Sequence, residues 1–431
     1  MKSFRYYKVV ALLTLVVFFH NASQSQIAFD SWFENKALRI DYFLAGNETV
    51  QQFFLKDLSI EPHWSGSHTQ TLSNLDLGSH KVEVTDKDSN TLLYTYGFCT
   101  LFQEWQTVNE ATHQSKAFEQ VTRIPFPKKT VDVTFFARDK QTGKFQELYN
   151  LEVNPNDISI IKNQWAKHPV TKIIDNGNAN QNLDITFIAE GYTYNEMDKF
   201  RSDVKRLADY LFAQEPFVDY KNDINIWAVE SPSEVSGPTN PRANVWNRTA
   251  VSSSFNTFGI DRYLTSTHTF KIMDIAANAP GDVVYILVNT ADYGGGGIYN
   301  HYNVATSDNP LSSIVFIHEL GHGLAGLGDE YYTSDVAYEN FYPLDVEPWE
   351  QNITTRVNFD AKWADMLEPS TPIPTPQTKD FEKTVGVYEG GGYMSKGVYR
   401  PYIDCRMKSN EAKGFCPVCQ RAIRQVLESY R

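Results

Sequence analysis

Positive charge is in short supply in this chain. It carries 39 Lys and Arg against 52 Asp and Glu, a net charge of −13 over 431 residues. That balance argues against nucleic acid or an anionic membrane surface as a partner. Long apolar runs are missing too. The one from Val9 to Phe19 is too short to span a bilayer, and no later segment reads as a transmembrane helix. Cysteine is scarce, with only Cys99, Cys405, Cys416 and Cys419, which allow three complete pairings. Cys416-Pro417-Val418-Cys419 has the spacing of a redox pair or half a zinc knuckle, but no second C-x-x-C or H-x-x-H completes a knuckle. One expectation is a structural bridge tying Cys405 to Cys416 or Cys419, with Cys99 buried and unpaired.

At the N-terminus, Lys2, Arg5 and Lys8 precede the Val9 to Phe19 run, and the small residues of Ser23-Gln24-Ser25 follow. This pattern predicts a signal peptide over residues 1–25, cleaved before Gln26. No cysteine near that point could carry a lipid. The expected location is secreted, periplasmic or cell-surface, where disulfides can form. Asn47, Asn247 and Asn352 stand in N-x-[ST] sequons. With 24 Tyr, 27 Phe and 8 Trp there is ample material for a core. The mature length predicts two or three domains.

Residues 26–155 lack helical periodicity and alternate at strand spacing, as in Lys81-Val82-Glu83-Val84-Thr85 and Val131-Asp132-Val133-Thr134-Phe135, with turns at residues 86–90 and 139–143. They predict an antiparallel β-sandwich. After a connector over 156–182 the pattern changes, and residues 183–431 alternate strands with helices. Leu183 to Ala189, Ile224 to Val229 and Asp282 to Val288 read as strands, and Ile298 to Thr306 as a candidate edge strand. Thr193 and Glu196 form a capping box opening a helix. The fold class is therefore α+β and multidomain, an antiparallel sandwich followed by an α/β domain with a mixed sheet. The glycine run Gly294 to Gly297 reads either as a flexible turn or as bare backbone on which a substrate strand could pair.

The chemistry lies between Ile317 and Tyr331, I-H-E-L-G-H-G-L-A-G-L-G-D-E-Y. It contains H-E-x-x-H. On a helix, His318 and His322 share one face and can reach a single metal ion. Glu319 is then placed as general base toward a metal-activated water, the arrangement of a zinc metallopeptidase. Asn309-Pro310 predicts the helix start, and Gly326 and Gly328 its end. A catalytic zinc needs a third protein ligand. Asp329 is the choice, because the glycines let the chain turn back toward the metal. Glu330 is the alternative, or a residue that orients a ligating histidine. Tyr331, Tyr393, Tyr399, Tyr402 and Arg400 are possible oxyanion stabilisers, and spacing alone does not choose among them.

His318-Glu319-Leu320-Gly321-His322, its continuation Gly326 to Tyr331, and Arg400-Pro401-Tyr402-Ile403-Asp404-Cys405-Arg406-Met407 resemble the IgA-peptidase family of secreted bacterial metallopeptidases. The resemblance covers roughly residues 170 to 431, and the preceding β-domain is similar to the N-terminal domain that accompanies the family. It implies a zinc endopeptidase with one catalytic Zn2+ held by His318, His322 and Asp329, Glu319 as acid/base, and a metzincin-like catalytic domain. Against the wider metzincin pattern H-E-x-x-H-x-x-G-x-x-H or D, this chain matches only if one residue is inserted, with Gly326 and Asp329 in the Gly and ligand positions. A methionine under the metal is expected from the same likeness, with Met407 the choice and Met394 the alternative. The implied partner is an extended polypeptide or glycoprotein, host or dietary. Two other readings stand beside it: a secreted binding protein with a closed four-ligand structural zinc, and a zinc amidase acting on cell-wall peptides.

Overall fold

The structure is a computed structural model and describes residues 27–162, 165–332 and 341–430. The expected signal segment, residues 1–25, lies outside the described residues. In the first half, α1 (Phe29–Trp32) leads into β1 (Phe33–Gly46) and β2 (Gln51–Glu61), then β3 (His80–Asp86) and β4 (Leu92–Phe98). Next come α2 (Leu101–Trp105), β5 (Lys116–Pro127), β6 (Val131–Arg138) and β7 (Phe145–Val153). The strands form two antiparallel sheets, ordered β2-β1-β5 and β4-β3-β6-β7. β3 alternates buried and half-buried residues throughout, with Val82 and Val84 inward, as a strand with one covered face must. The sheets meet through Tyr42 and Phe53 against Phe135 and Tyr149, with ring centroids 4.3 to 5.2 Å apart.

The second half contains β8 (Val170–Ile174), β9 (Leu183–Glu190), α3 (Met197–Leu211), β10 (Ile224–Val229), α4 (Thr269–Ala276) and β11 (Val283–Val288). β12 (Gly295–Ile298), β13 (Tyr302–Thr306), α5 (Ser312–Ala325), β14 (Tyr388–Gly391), β15 (Met394–Arg400) and α6 (Pro417–Glu428) complete it. A six-stranded mixed sheet runs β12-β13-β11-β9-β10-β8, parallel from β13 to β10 and antiparallel at both edges. Every residue of β9, β10 and β11 is buried, which explains why these strands read as near-continuous apolar runs. Helices α3, α5 and α6 cover one face through Phe200, Leu207, Leu320, Leu324 and Ile423.

The two antiparallel sheets and α4 cover the other face. Ile188, Ile286, Val288 and Val304 belong to one continuous buried cluster with Ile272 of α4 and with Tyr42, Val82 and Phe102 of the first half. Arg39 crosses the junction, giving 2.6 Å hydrogen bonds to both Asp41 and Asp274. The Cys99 amide donates to the Tyr299 carbonyl at 2.9 Å.

Three local expectations change. The strand expected over Ile298 to Thr306 is split by a turn at Asn300, whose φ is +50°, so the edge strand is β12, made largely of the glycines themselves. Asn309-Pro310 does not begin the helix. The Asn309 side chain accepts from the Leu311 amide at 3.0 Å in a preceding turn, and α5 starts at Ser312. The bridge expected from Cys405 is not formed: all four cysteines are free, and Cys405 Sγ lies 3.7 Å from Cys419 Sγ, far beyond a covalent S–S bond.

Candidate active site

α5 carries His318, Glu319 and His322 and ends at Gly326 in the left-handed conformation (φ +58°), which Gly adopts without a Cβ penalty. The chain then doubles back and delivers Asp329 to the two histidines. His318 Nε2 and His322 Nε2 are 3.1 Å apart, and Asp329 Oδ1 lies 3.2 Å from the first and 3.3 Å from the second. Three donors bound at about 2.0–2.1 Å to a tetrahedral ion stand about 3.3 Å from one another, so this triangle has the size of a metal face. Asp329 Oδ1 is buried and receives no hydrogen bond from the protein. His318, Glu319 and His322 also present ligand atoms within 4.8 Å of one another.

The opposite ring nitrogens fix the tautomers. His318 Nδ1 donates to the Arg406 carbonyl at 3.0 Å and His322 Nδ1 to the Leu327 carbonyl at 2.5 Å, leaving both Nε2 lone pairs turned inward. The Tyr393 hydroxyl donates to Asp329 Oδ2, and the Gly392 amide donates to the Asp329 carbonyl at 2.8 Å. Gly392 and Tyr393 both have positive φ, the requirement of the tight two-residue hairpin turn joining β14 to β15.

The electrostatics favour positive charge at this point. Burial lowers the basicity of His322, but the negative charges of Asp329 and Glu319 and the Leu327 carbonyl together outweigh it and raise the imidazole to about 9. Burial works to raise Asp329, yet His322 and His318 hold it well below the usual carboxylate range. Burial raises the Glu319 carboxyl above its ordinary value, against the opposing pull of the two histidines.

The glycine run packs onto the helix. A Cβ on Gly295 would meet Glu319 Oε1 at 2.7 Å, and one on Gly297 would meet the Glu319 carbonyl at 2.4 Å. Gly295 is not an open edge either. Its amide donates to the Arg262 carbonyl at 3.3 Å and its carbonyl accepts from the Leu264 amide at 3.2 Å. The expectation of substrate strand pairing therefore fails at Gly295, where residues 262–264 already take the hydrogen bonds.

Other expected residues separate in space. Met407 is fully buried beneath α5, close enough that a Cβ on Gly321 would meet its Sδ at 2.8 Å. Met394 instead packs with Ile353 and Val398. Tyr331 and Tyr393 line the cavity at the histidines, whereas Tyr399 and Tyr402 do not. Arg400 is buried against the Glu389 and Gly390 carbonyls. Glu330 is turned away from the histidines toward Asn352 and Cys419. Asn352, although in a sequon, is completely buried, and its amide clamps the turn through the Gly328 backbone and Glu330 Oε1.

The cavity, of about 430 Å³, lies between the halves of the molecule. Glu104 of α2, Arg138 and Lys140 line it from the first half, and Arg262, Tyr293 and Tyr331 from the second. Glu104 accepts from the Tyr263 hydroxyl, and burial pushes its carboxyl up to about 7. None of these first-half residues stood out in the sequence, because an acid in a five-residue helix, a cation at a strand end and another in the following turn carry no pattern.

Residues 171–384 and 378–427 match the model of the family described as IgA Peptidase M64, and residues 28–150 match that described as Peptidase M64 N-terminus. The chain belongs to the IgA peptidase M64 family. A search of curated proteins found no match to it. This M64 member is thus a peptidase with polypeptide as its substrate class, and it contains a cluster able to hold a metal. Among its described residues no helix is long and apolar enough to cross a membrane.

Proposed function

We propose that this M64 member is an exported zinc endopeptidase with His318, His322 and Asp329 as metal ligands. The observation that carries this reading is the 3.1, 3.2 and 3.3 Å triangle of inward lone pairs, with each histidine anchored from behind by a carbonyl. Two imidazoles and a carboxylate are a donor set that would suit zinc and would leave a position for water or substrate. When bound, the ion supplies Lewis acidity toward the scissile carbonyl and toward water. Glu319, next to the ligands and raised by burial, takes a proton from the attacking water and delivers it to the leaving amine. Tyr393 holds Asp329 in orientation. Tyr331 and Arg262, the guanidinium 5.6 Å from the ring centroid, are the cavity donors for the developing oxyanion. Met407 under α5 takes the place of the methionine expected of a metzincin-like domain.

The cavity is walled by both halves of the chain, by Glu104, Arg138 and Lys140 on one side and Arg262, Tyr293 and Tyr331 on the other, which offers a polypeptide contacts on two sides. The first half then acts as part of the substrate cleft. Digestion of a mixed panel of unfolded and glycosylated proteins, by the parent and by Glu319→Gln at equal zinc content, tests the assignment. Cleavage by the parent alone is expected, with a loss of at least about 100-fold in the variant. Equal cleavage by both would remove Glu319 from the mechanism. Immunoglobulin belongs on the panel as one substrate among several.

A further inference from the structure

We propose that Glu330, Cys405, Cys416 and Cys419 form a second, structural zinc site. The four side chains present ligand atoms all within 4.8 Å of one another, and every one is buried. They come from three segments: the turn after α5, the loop before α6, and the N-terminus of α6, where Cys416 is the N-cap and Cys419 lies in the first turn. Cys405 Sγ and Cys419 Sγ are 3.7 Å apart. Two thiolates bound at about 2.3 Å to a tetrahedral zinc stand about 3.7 Å apart, whereas a disulfide needs about 2.05 Å. Glu330 Oε1 lies 3.2 Å from Cys419 Sγ.

Glu330 itself points to a cation. It is fully buried, and its Oε2 has no hydrogen-bond partner. A buried carboxylate facing three sulfurs is costly unless a positive charge compensates it. The surroundings supply donors that suit anionic ligands: the Cys416 amide to Cys405 Sγ at 3.2 Å, and Asn352 Nδ2 to Glu330 Oε1 at 3.0 Å. None of the four residues lines the active-site cavity, so the site is closed, with four protein ligands and no open position.

Its effect follows from sequence neighbours. Glu330 adjoins Asp329, and Cys405 adjoins Arg406, whose carbonyl accepts from His318 Nδ1. The Glu330 amide also donates to the Met407 carbonyl at 2.8 Å. An ion joining Glu330 to Cys405 and to α6 staples together the two segments that place groups around the histidines. The inference stands apart from the catalytic-zinc reading, and one experiment separates them.

The full-length chain is prepared as the parent, as His318→Ala/His322→Ala, and as that variant with Cys405→Ser and Cys419→Ser added. Bound zinc per chain is measured after gel filtration, folding is followed by circular dichroism, and each protein is also loaded with Co2+. The expected contents are two, one and none. The His variant should show thiolate-to-cobalt charge-transfer absorption, which the Cys substitutions remove. The spectrum of the His variant, with all cysteines intact, decides the matter even if the serine variant fails to fold. One zinc in the parent and none in a folded His variant would overturn the proposal, as would a disulfide among Cys405, Cys416 and Cys419 in an unreduced digest. One zinc in both the parent and the His variant would retain the thiolate site and sink the catalytic one instead.

Discussion

Tyr393 shows how much of the metal centre depends on single residues that are not themselves ligands. Its hydroxyl is spent on Asp329 Oδ2, so Tyr393 holds a ligand in place. Loss of an outer hydrogen bond of this kind typically weakens a metal site by about 10–100-fold. Tyr393→Phe is therefore expected to raise the zinc dissociation constant by that factor, with the fold intact, as measured by competition with a chromophoric chelator. An unchanged constant would mean that Asp329 is held in place without the Tyr393 hydroxyl. Asn352 acts similarly on the other side of the turn. Asn352→Ala leaves the Gly328 amide buried without a partner and removes the amide donor from Glu330 Oε1, and should cost about 1–3 kcal/mol in urea unfolding, the typical cost of one abandoned buried group.

Among the elements, the contact of β12 with α5 explains Gly295 and Gly297, while Gly294 and Gly296 are crowded by Phe255, Tyr263 and the Arg262 and Leu264 carbonyls. The strand lies so close to the helix that no side chain fits between them at residues 295 and 297. Gly297→Ala places a Cβ 2.4 Å from the Glu319 carbonyl, a backbone atom that cannot swing aside. Overpacking of this sort costs about 1–3 kcal/mol. The expected result is a lower urea midpoint at unchanged m-value together with reduced kcat, because α5 must move and carries His318, Glu319 and His322 with it. Full activity at normal stability would show that the strand can retreat. Glycine strings suggest looseness when read in sequence; here they mark close packing.

For the whole molecule, the decisive fact is that the antiparallel sheets are not an appendage. They share a core with the mixed sheet and supply Glu104, Arg138 and Lys140 to the cavity. Two buried histidines sit within this assembly, His80 on β3 and His301 beside β13. Burial lowers each from 6.5 to about 3. Both are neutral when folded and protonate more readily when unfolded. Their contribution is complete above pH 6.5 and is lost as pH falls toward 3, at about 1.4 kcal/mol per pH unit for each residue. Acid should therefore unfold both halves together in one transition. His80→Gln should flatten the dependence of unfolding free energy on pH over that range. An identical slope in the variant would remove His80 from the acid transition.

Patterns of short range were legible from the amino acids alone: strand alternation in residues 80–86, the capping box at Thr193, and the i, i+4 pairing of His318 and His322. Each depends on neighbours within one or two turns of the same element, so linear spacing contains the information. The selection of Asp329 at the histidines over Glu330, the gathering of Cys405, Cys416 and Cys419 around that acid, and the arrival of Glu104 at the cavity were decided only by tertiary structure. Adjacent residues such as Asp329 and Glu330 look equivalent in sequence. With α5 ended at Gly326, the backbone turn that follows sends one carboxylate to the histidines and the other to the sulfurs. That turn is set by Gly326, by Asn352, 24 residues from Gly328, and by Tyr393 of the β14–β15 hairpin, 64 residues from Asp329, which meet only when the whole molecule folds.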